Sequence, residues 1–431
     1  MSDRPTRRKF LATTAAASAV PIIGAPAVHA AGNETLKIAL VGCGGRGTGA
    51  ALNALRADKN VKLTAACDIF EDQLEASLAS LTKADDGRFA DKIDVPADRR
   101  FTGFDGYKKA IDSGVDLVIL ATAPGFRPIH LAYAVDNDKH VFMEKPHAVD
   151  ATGVRSVIES CRKAEKKNLG VCGGFTYRFD VHKRDTVKRL HDGAVGDVRT
   201  IHTTFITGDL WDRSGKAKSQ DPAEMDYQLR MWYYFPWLSG DFLVEQAIHN
   251  VDKACWVMNG EYPESATGMG GRQVRTAPKF GTIWDHFTVV YEYKSGAKVF
   301  LQCQQNSGAK YKSNTDEITG TKGVCQLMRH TITPYRGATW KREGEHDLGR
   351  AYDLEHEELI ASIRAGKPMN DGVRSAMSTL MGIMGREAAY SGQKITWAQM
   401  LESKQDIVPK KFAWGSNPVE PVAMPGKYKF V

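Results

Sequence analysis

The sequence has little that would tie it together covalently or fasten it to a polyanion. Its seven cysteines are an odd number with no Cys-x-x-Cys pair, which argues against a disulfide framework. Cys43 lies in a glycine-rich loop, and Cys67 and Cys172 fall in apolar runs. Such positions suit small buried hydrophobes. No block of Lys and Arg is interleaved with aromatics, so nucleic acid is not expected as a partner. The twelve histidines show no metal-ligand spacing. The stretch LEHEEL at 354–359 lacks the second histidine of a zinc helix, and no metal is expected. No segment repeats at a fixed period, and no low-complexity tract follows the start of the chain. What remains is 431 residues, 42% of them hydrophobic, enough for two or three domains around a large core.

The N-terminus stands apart. Arg7 and Arg8 precede a mildly apolar stretch from Ala12 to Ile23, and Val28-His29-Ala30 places small residues where a signal peptidase cuts. The apolar stretch is too short to span a bilayer as a mature helix. Thr6-Arg7-Arg8-Lys9-Phe10-Leu11 resembles the twin-arginine export signal, read by a machinery that carries folded proteins. Residues 1–30 are therefore expected to be a signal peptide cleaved near Ala30, and the mature protein periplasmic. Without them the formal net charge of +7 falls to +4, a weak imbalance. Few disulfides are expected in an exported chain that folded first in the reducing cytosol.

From Leu36 the pattern is strand, glycine loop, helix, strand. LKIALV runs into Gly42, Gly44 and Gly47, then RGTGAALNALRAD, then VKLTAACD ending at Asp68. In this order Gly42 permits a tight turn, Gly44 lets the backbone approach a pyrophosphate, and Gly47 allows close helix–strand packing. The pyrophosphate would rest on unpaired N–H groups at the helix start, with Arg46 adding a cation there. Asp68 would accept hydrogen bonds from a ribose 2′-hydroxyl and repel a 2′-phosphate. No cation stands at positions 69 and 70, so NAD is expected over NADP. VDLVILATAP at 115–124 and KHVFMEKP at 139–146 continue the alternation, implying a parallel sheet covered on both faces. Ligands bind beyond the carboxyl ends of such strands, which places Thr122, Glu144 and Lys145 toward the cofactor. A solvated strand end is the alternative reading of the Glu-Lys pair. This first domain is assigned to residues 31–160.

Residues 161–431 read as a second domain. DHFTVVYEYKSGAKVFLQCQQ gives two alternating strands joined at Ser295-Gly296, with further strand-like segments before helical patterns at about 352–365 and 372–391. The expectation is an α/β chain: a Rossmann domain followed by an α/β domain with a large, mainly antiparallel open sheet. The glycine loop, Glu144-Lys145-Pro146, YRF followed by GAVGDV, and GDFLVEQAIHNVD together resemble the Gfo/Idh/MocA oxidoreductases from about residue 36 to 395. That resemblance implies a catalytic lysine at Lys145 and a histidine at His249. Four residues before it the family has an aspartate where this chain has Glu245. It also implies Tyr177 near the nicotinamide, and a homo-oligomer formed through the C-terminal sheet.

The chemistry is coherent on its own terms. Oxidising a secondary alcohol needs a proton acceptor, and a histidine titrates near working pH. A lysine beside the carbinol oxygen stabilises developing negative charge. On one helix, Glu245, His249 and Asp252 would share a face, with Asp252 placed to orient the imidazole. The stretch 226–241 is dense in aromatics. It reads equally as a buried cluster or as a carbohydrate platform in which Arg230 and Trp232 bind hydroxyls. Outside the cytosol there is no pool of diffusible NAD(H), so the cofactor should be held tightly. The sequence thus points to an exported oxidoreductase of a sugar, glycoside or cyclitol hydroxyl. The alternatives are an NAD-dependent glycosidase using transient oxidation and elimination, and a non-catalytic sugar-binding protein.

Overall fold

The computed structural model describes residues 34–431; the leader expected at 1–30 lies outside them. Six strands form the first sheet: β1 Leu36–Val41, β2 Val61–Asp68, β3 Arg100–Thr102, β4 Leu117–Leu120, β5 His140–Glu144 and β6 Val171–Gly174. Their order is β3-β2-β1-β4-β5-β6, all parallel. β4, β5 and β6 are buried along their whole length, as strands covered on both faces must be. The covering helices are α1 Gly45–Ala57, α2 Glu71–Lys83, α3 Gly106–Asp112, α4 Arg127–Asp136 and α5 Ala151–Lys166. The expected boundary at residue 160 is corrected by this sheet. It falls inside α5, and the first domain continues through β6 to Gly174 because that strand pairs with β5.

After α6, Val181–His191, the chain builds a nine-stranded sheet. Its strands are β7 Val198–Thr207, β8 Ser265–Gly271, β9 His286–Glu292, β10 Lys298–Gln305, β11 Ser313–Gly320, β12 Gly323–Gln326, β13 Thr331–Pro334, β14 Trp340–Lys341 and β15 Ile395–Thr396. The β7–β10 pair is parallel and the other pairs are antiparallel. Between β7 and β8 lie α7 Met225–Arg230, α8 Pro236–Ser239, α9 Asp241–Glu245 and α10 Ile248–Val257. After β14 come α11 Leu348–Arg364, α12 Gly372–Ser391 and α13 Trp397–Glu402. Strict alternation in β9 and β10 turns Phe287, Val289, Tyr291, Val299, Leu301 and Cys303 inward. Tyr291 packs there against α12, its hydroxyl donating to the Met381 carbonyl at 3.1 Å. All seven cysteines are buried and unbridged.

The first domain encloses histidines that cannot hold a proton. His130 and His147 are buried, and desolvation pushes each down to about 3, with Arg127 adding to the effect. In the unfolded chain they titrate near ~6.5. The folded value is the lower one, so the unfolded state binds more protons once pH drops below that point. Stability is then lost continuously as pH falls from about 6.5 toward 3. At pH 5 each histidine removes ~2 kcal/mol. The urea midpoint should therefore drop steadily between pH 7 and pH 5; a flat profile over that window contradicts the assignment.

Candidate active site

The glycine loop turns directly off β1. Gly42 has φ +99°, and a Cβ there would lie 2.5 Å from the Ala121 carbonyl carbon. At Gly47 a Cβ would sit 1.8 Å from the Gly42 oxygen, so loop, helix and β4 meet with no room for a side chain. Gly44 differs: nothing lies within 4 Å of its missing Cβ. That open space belongs to a cleft of about 530 Å³, lined by Gly42, Gly44, Arg46, Gly47, Asp68, Thr122, Glu144 and Lys145 among others. The first-turn N–H groups of α1 have no intrahelical acceptor, and a dinucleotide pyrophosphate fits there. Asp68, at the end of β2, accepts from the Cys43 N–H at 2.7 Å and the Phe70 N–H at 2.9 Å. Burial raises its pKa, and these backbone donors oppose the rise.

Arg46 lines the cleft beside the glycine loop but does not stand free there. Its Nε lies 2.8 Å from Glu144 Oε1, its Nη2 donates to Asn53 Oδ1, and its guanidinium lies 4.6 Å from the Tyr352 ring centroid. Thr122 also lines the cleft, its hydroxyl 3.2 Å from His130 Nδ1. The ends of β4 and β5 are stapled by Arg127, a buried residue that gave no local sequence signal. Its guanidinium donates to the carbonyls of Thr122, Glu144 and Pro146.

Lys145 projects from that stapled loop and meets the second domain. Its Nζ donates to Glu245 Oε1 at 2.9 Å and to the Glu245 carbonyl. Glu245 Oε2 in turn accepts from Gln246 Nε2 at 2.6 Å. His249 lines the same cleft with Nδ1 buried and unpartnered among the described residues, which leaves Nε2 as its available nitrogen. Desolvation holds the imidazole well below its ordinary pKa, and the Lys145 and Lys253 ammoniums push the same way. The ring is neutral. Glu245 and His249 do not share one continuous helix as expected. α9 ends at Glu245 and α10 begins at Ile248, and this break still leaves both side chains on the cleft.

Three expected positions are corrected by the packing. Tyr177 does not line the cleft; it stands behind His249, edge-on with ring centroids 5.3 Å apart. Asp252 does not bind the imidazole. Its buried carboxylate takes the Arg178 fork at 2.8 and 2.9 Å and the Ser378 hydroxyl at 2.8 Å. Arg230 lines the far end of the cleft, near Asp68, rather than the Lys145 end. Its guanidinium lies 3.5 Å from the Phe70 ring centroid and makes a bidentate pair with Asp72 at 2.8 and 3.0 Å. Arg213 joins it there, close enough to Asp68 for their charges to interact. The cations missing from positions 69 and 70 are thus supplied by the second domain. The aromatic stretch divides: Tyr234 and Phe235 are core, whereas Trp232 and the buried Tyr233 line the cleft beside Trp211, the Trp211 and Trp232 ring centroids 5.9 Å apart.

The C-terminal segment backs this end. Phe412 packs on Phe104 and Phe126, and Trp414 on Phe70 and Phe104. The Gly415 carbonyl accepts from the Met225 N–H at 2.8 Å, tying the segment to α7.

Comparison with known proteins agrees with this architecture. Residues 36–171 match the profile described as oxidoreductase family, NAD-binding Rossmann fold, and residues 184–326 match the GFO/IDH/MocA C-terminal domain. The sheet, the glycine cradle and these matches define an NAD-binding oxidoreductase. The chain belongs to the Gfo/Idh/MocA family. The inositol 2-dehydrogenase of Salmonella typhimurium (strain LT2) is 24% identical over 344 residues, 78% of this chain and 88% of the relative. The 2,7-anhydro-N-acetylneuraminate hydratase of Escherichia coli (strain K12) is 27% identical over 223 residues, 52% of this chain and 54% of the relative. A levoglucosan dehydrogenase in complex with NADH and levoglucosan has a similar fold, with TM-score 0.64 and 16% identity. The match covers 84% of this chain and 99% of that one.

Proposed function

We propose that the protein is an exported oxidoreductase acting on a secondary hydroxyl of a sugar, glycoside or cyclitol, with a dinucleotide retained between turnovers. The observation that carries this reading is the Lys145–Glu245 pair beside a neutral His249, all on the cleft that the glycine loop opens. When bound, NAD supplies the hydride acceptor or donor. Lys145, freed from or sharing Glu245, stabilises negative charge on the carbinol oxygen. His249 takes the hydroxyl proton at its available nitrogen. Glu245 keeps the ammonium aimed across the domain junction, and Trp211 and Trp232 offer apolar faces to a ring's C–H side. Relatives named for inositol and for levoglucosan fit a polyhydroxylated substrate.

Retention is supported by the cover at the far end of the cleft. The Arg230–Asp72 clasp and the Phe412–Trp414 segment join the two domains beside Asp68. The leader motif at Arg7-Arg8 motivates export. We assign self-association to the outer face of the nine-stranded sheet, where Val290 and Phe300 are partly exposed. A second reading, redox-neutral elimination or hydration with the same hydride acceptor, draws on the relative named as a hydratase.

Purified protein should carry one dinucleotide by mass spectrometry and absorbance, and a polyol screen should yield a keto product with a stably reduced cofactor. Deuterium exchange next to a transient ketone, with no keto product and no net reduction, selects the second reading. Changing Arg7 and Arg8 to Lys should trap folded precursor in the cytosol; periplasmic recovery at wild-type levels overturns export.

A further inference from the structure

A second cluster of chemistry-bearing side chains lies away from the cleft. Asp180 caps α6, its Oδ1 accepting from the His182 N–H at 2.9 Å and the Lys183 N–H at 3.2 Å. Its other oxygen accepts from His346 Nε2 at 2.8 Å and Lys183 Nζ at 2.9 Å. His330 follows the short turn after β12, and His346 stands just before Asp347, the N-cap of α11. One donor atom each from Asp180, His330 and His346 lie within 4.8 Å of one another.

Ordinary hydrogen bonding accounts for His346 but leaves His330 unexplained. His330 is 6% exposed, yet neither of its ring nitrogens has a hydrogen-bond partner. Burying such a group unsatisfied costs about 1–3 kcal/mol, and buried polar atoms are seldom left so. The rings of His182, His330 and His346 are mutual neighbours, with centroids 5.3, 5.4 and 4.7 Å apart. Two imidazoles sharing one tetrahedral ion, each nitrogen about 2 Å from it, have centroids about 5 Å apart, and those of His330 and His346 are 4.7 Å apart. Coplanar stacking would bring the rings nearly parallel, whereas His330 and His346 are inclined by 50°, as convergent ligands are.

We propose that Asp180, His330 and His346, with solvent completing the coordination, bind a divalent transition-metal cation of the zinc type. Imidazole nitrogens with one carboxylate suit that class rather than calcium or magnesium. Lys183 becomes an outer donor to the ligating carboxylate, since an oxygen with two lone pairs serves both. Its ammonium opposes the added charge, so binding is weaker than in an all-thiolate site. None of the three residues lines the active-site cleft, and the role is structural. The ion ties the start of α6 to the segment that launches α11, the helix that brings Tyr352 against Arg46. The expectation of no metal rested on spacing along the chain; these donors come from three separate segments, which spacing cannot reveal.

The test uses the full chain with its bound dinucleotide, dialysed against Zn²⁺ and then metal-free buffer. Wild type should retain one zinc per chain by elemental analysis. His330→Ala and His346→Gln should each lower retention by at least about tenfold. Cobalt substitution should give intense tetrahedral visible bands in wild type alone. A chelator should lower the melting temperature of wild type and leave the variants unmoved. His346 is partly exposed, so its Gln variant stays informative if His330→Ala fails to fold. Absence of stoichiometric metal in wild type, or full retention by His346→Gln, overturns the proposal.

Discussion

Replacing Lys145 by Met, or His249 by Ala, should slow single-turnover reduction of the bound dinucleotide by about 100-fold or more, ~2.7 kcal/mol of barrier. The cofactor should stay bound, because neither side chain belongs to the glycine cradle. Lys145→Met also strands the Glu245 carboxylate, which is 8% exposed, so this variant should lose thermal stability as well. His249→Ala should not, since its Nδ1 has no partner to lose. Glu245→Gln is expected to fall between them. Lys145 also donates to the Glu245 backbone carbonyl, a contact that any substitution keeps, so the lysine remains placed while losing its counter-charge. Near-wild-type single-turnover rates in the His249 variant would reduce that residue to a packing role.

The second large effect concerns cofactor choice. Asp68→Ala should weaken NAD by about tenfold and raise NADP affinity by about 10–100-fold, the scale of one charge-assisted hydrogen bond gained. From sequence alone, removing the carboxylate only ends a repulsion. In the folded protein it also leaves Arg213 and Arg230 beside the position that a 2′-phosphate would take. Asp68 holds the Cys43 and Phe70 N–H groups, so Asp68→Asn is the companion that keeps an acceptor. Titration of each variant with both dinucleotides checks this. Adding Arg213→Ala to Asp68→Ala should remove most of the gain, and an unchanged NADP affinity in both Asp68 variants refutes the role of Arg213.

The parts of the site that were legible share one property: they are local. Gly42, Gly44 and Gly47 follow a strand and open a helix within a few residues, so turn, approach and packing are all encoded by one short segment. Asp68 ends the next strand, and Lys145 ends another. In a parallel sheet those ends must lie together. The nine-stranded sheet announced itself through the alternation at 286–305, because a strand with one buried face repeats every two residues.

What misled the sequence reading was competition for partners. Asp252 has the right spacing to meet His249 on a helix, but Arg178 offers it a fork of two hydrogen bonds, and a buried carboxylate goes to the stronger donor. Arg230, expected to bind a sugar hydroxyl, is held at the other end of the cleft by Asp72 and the face of Phe70. Gln246 and Ala247 interrupt the helix that was to carry Glu245 and His249.

By itself, then, the sequence determined the strand–loop–helix cradle, the acid at the end of β2, the lysine at the end of β5 and the two-domain order. Each is a short-range pattern whose geometry follows from backbone periodicity. Only the tertiary structure decided that Lys145 pairs with Glu245, that Arg127 staples the loop beneath it, that Arg213 faces Asp68, and that the distant His330 and His346 meet Asp180. Those are contacts between segments far apart in the chain. Their partners are chosen by burial and charge in the folded state, and no spacing along the sequence encodes that choice.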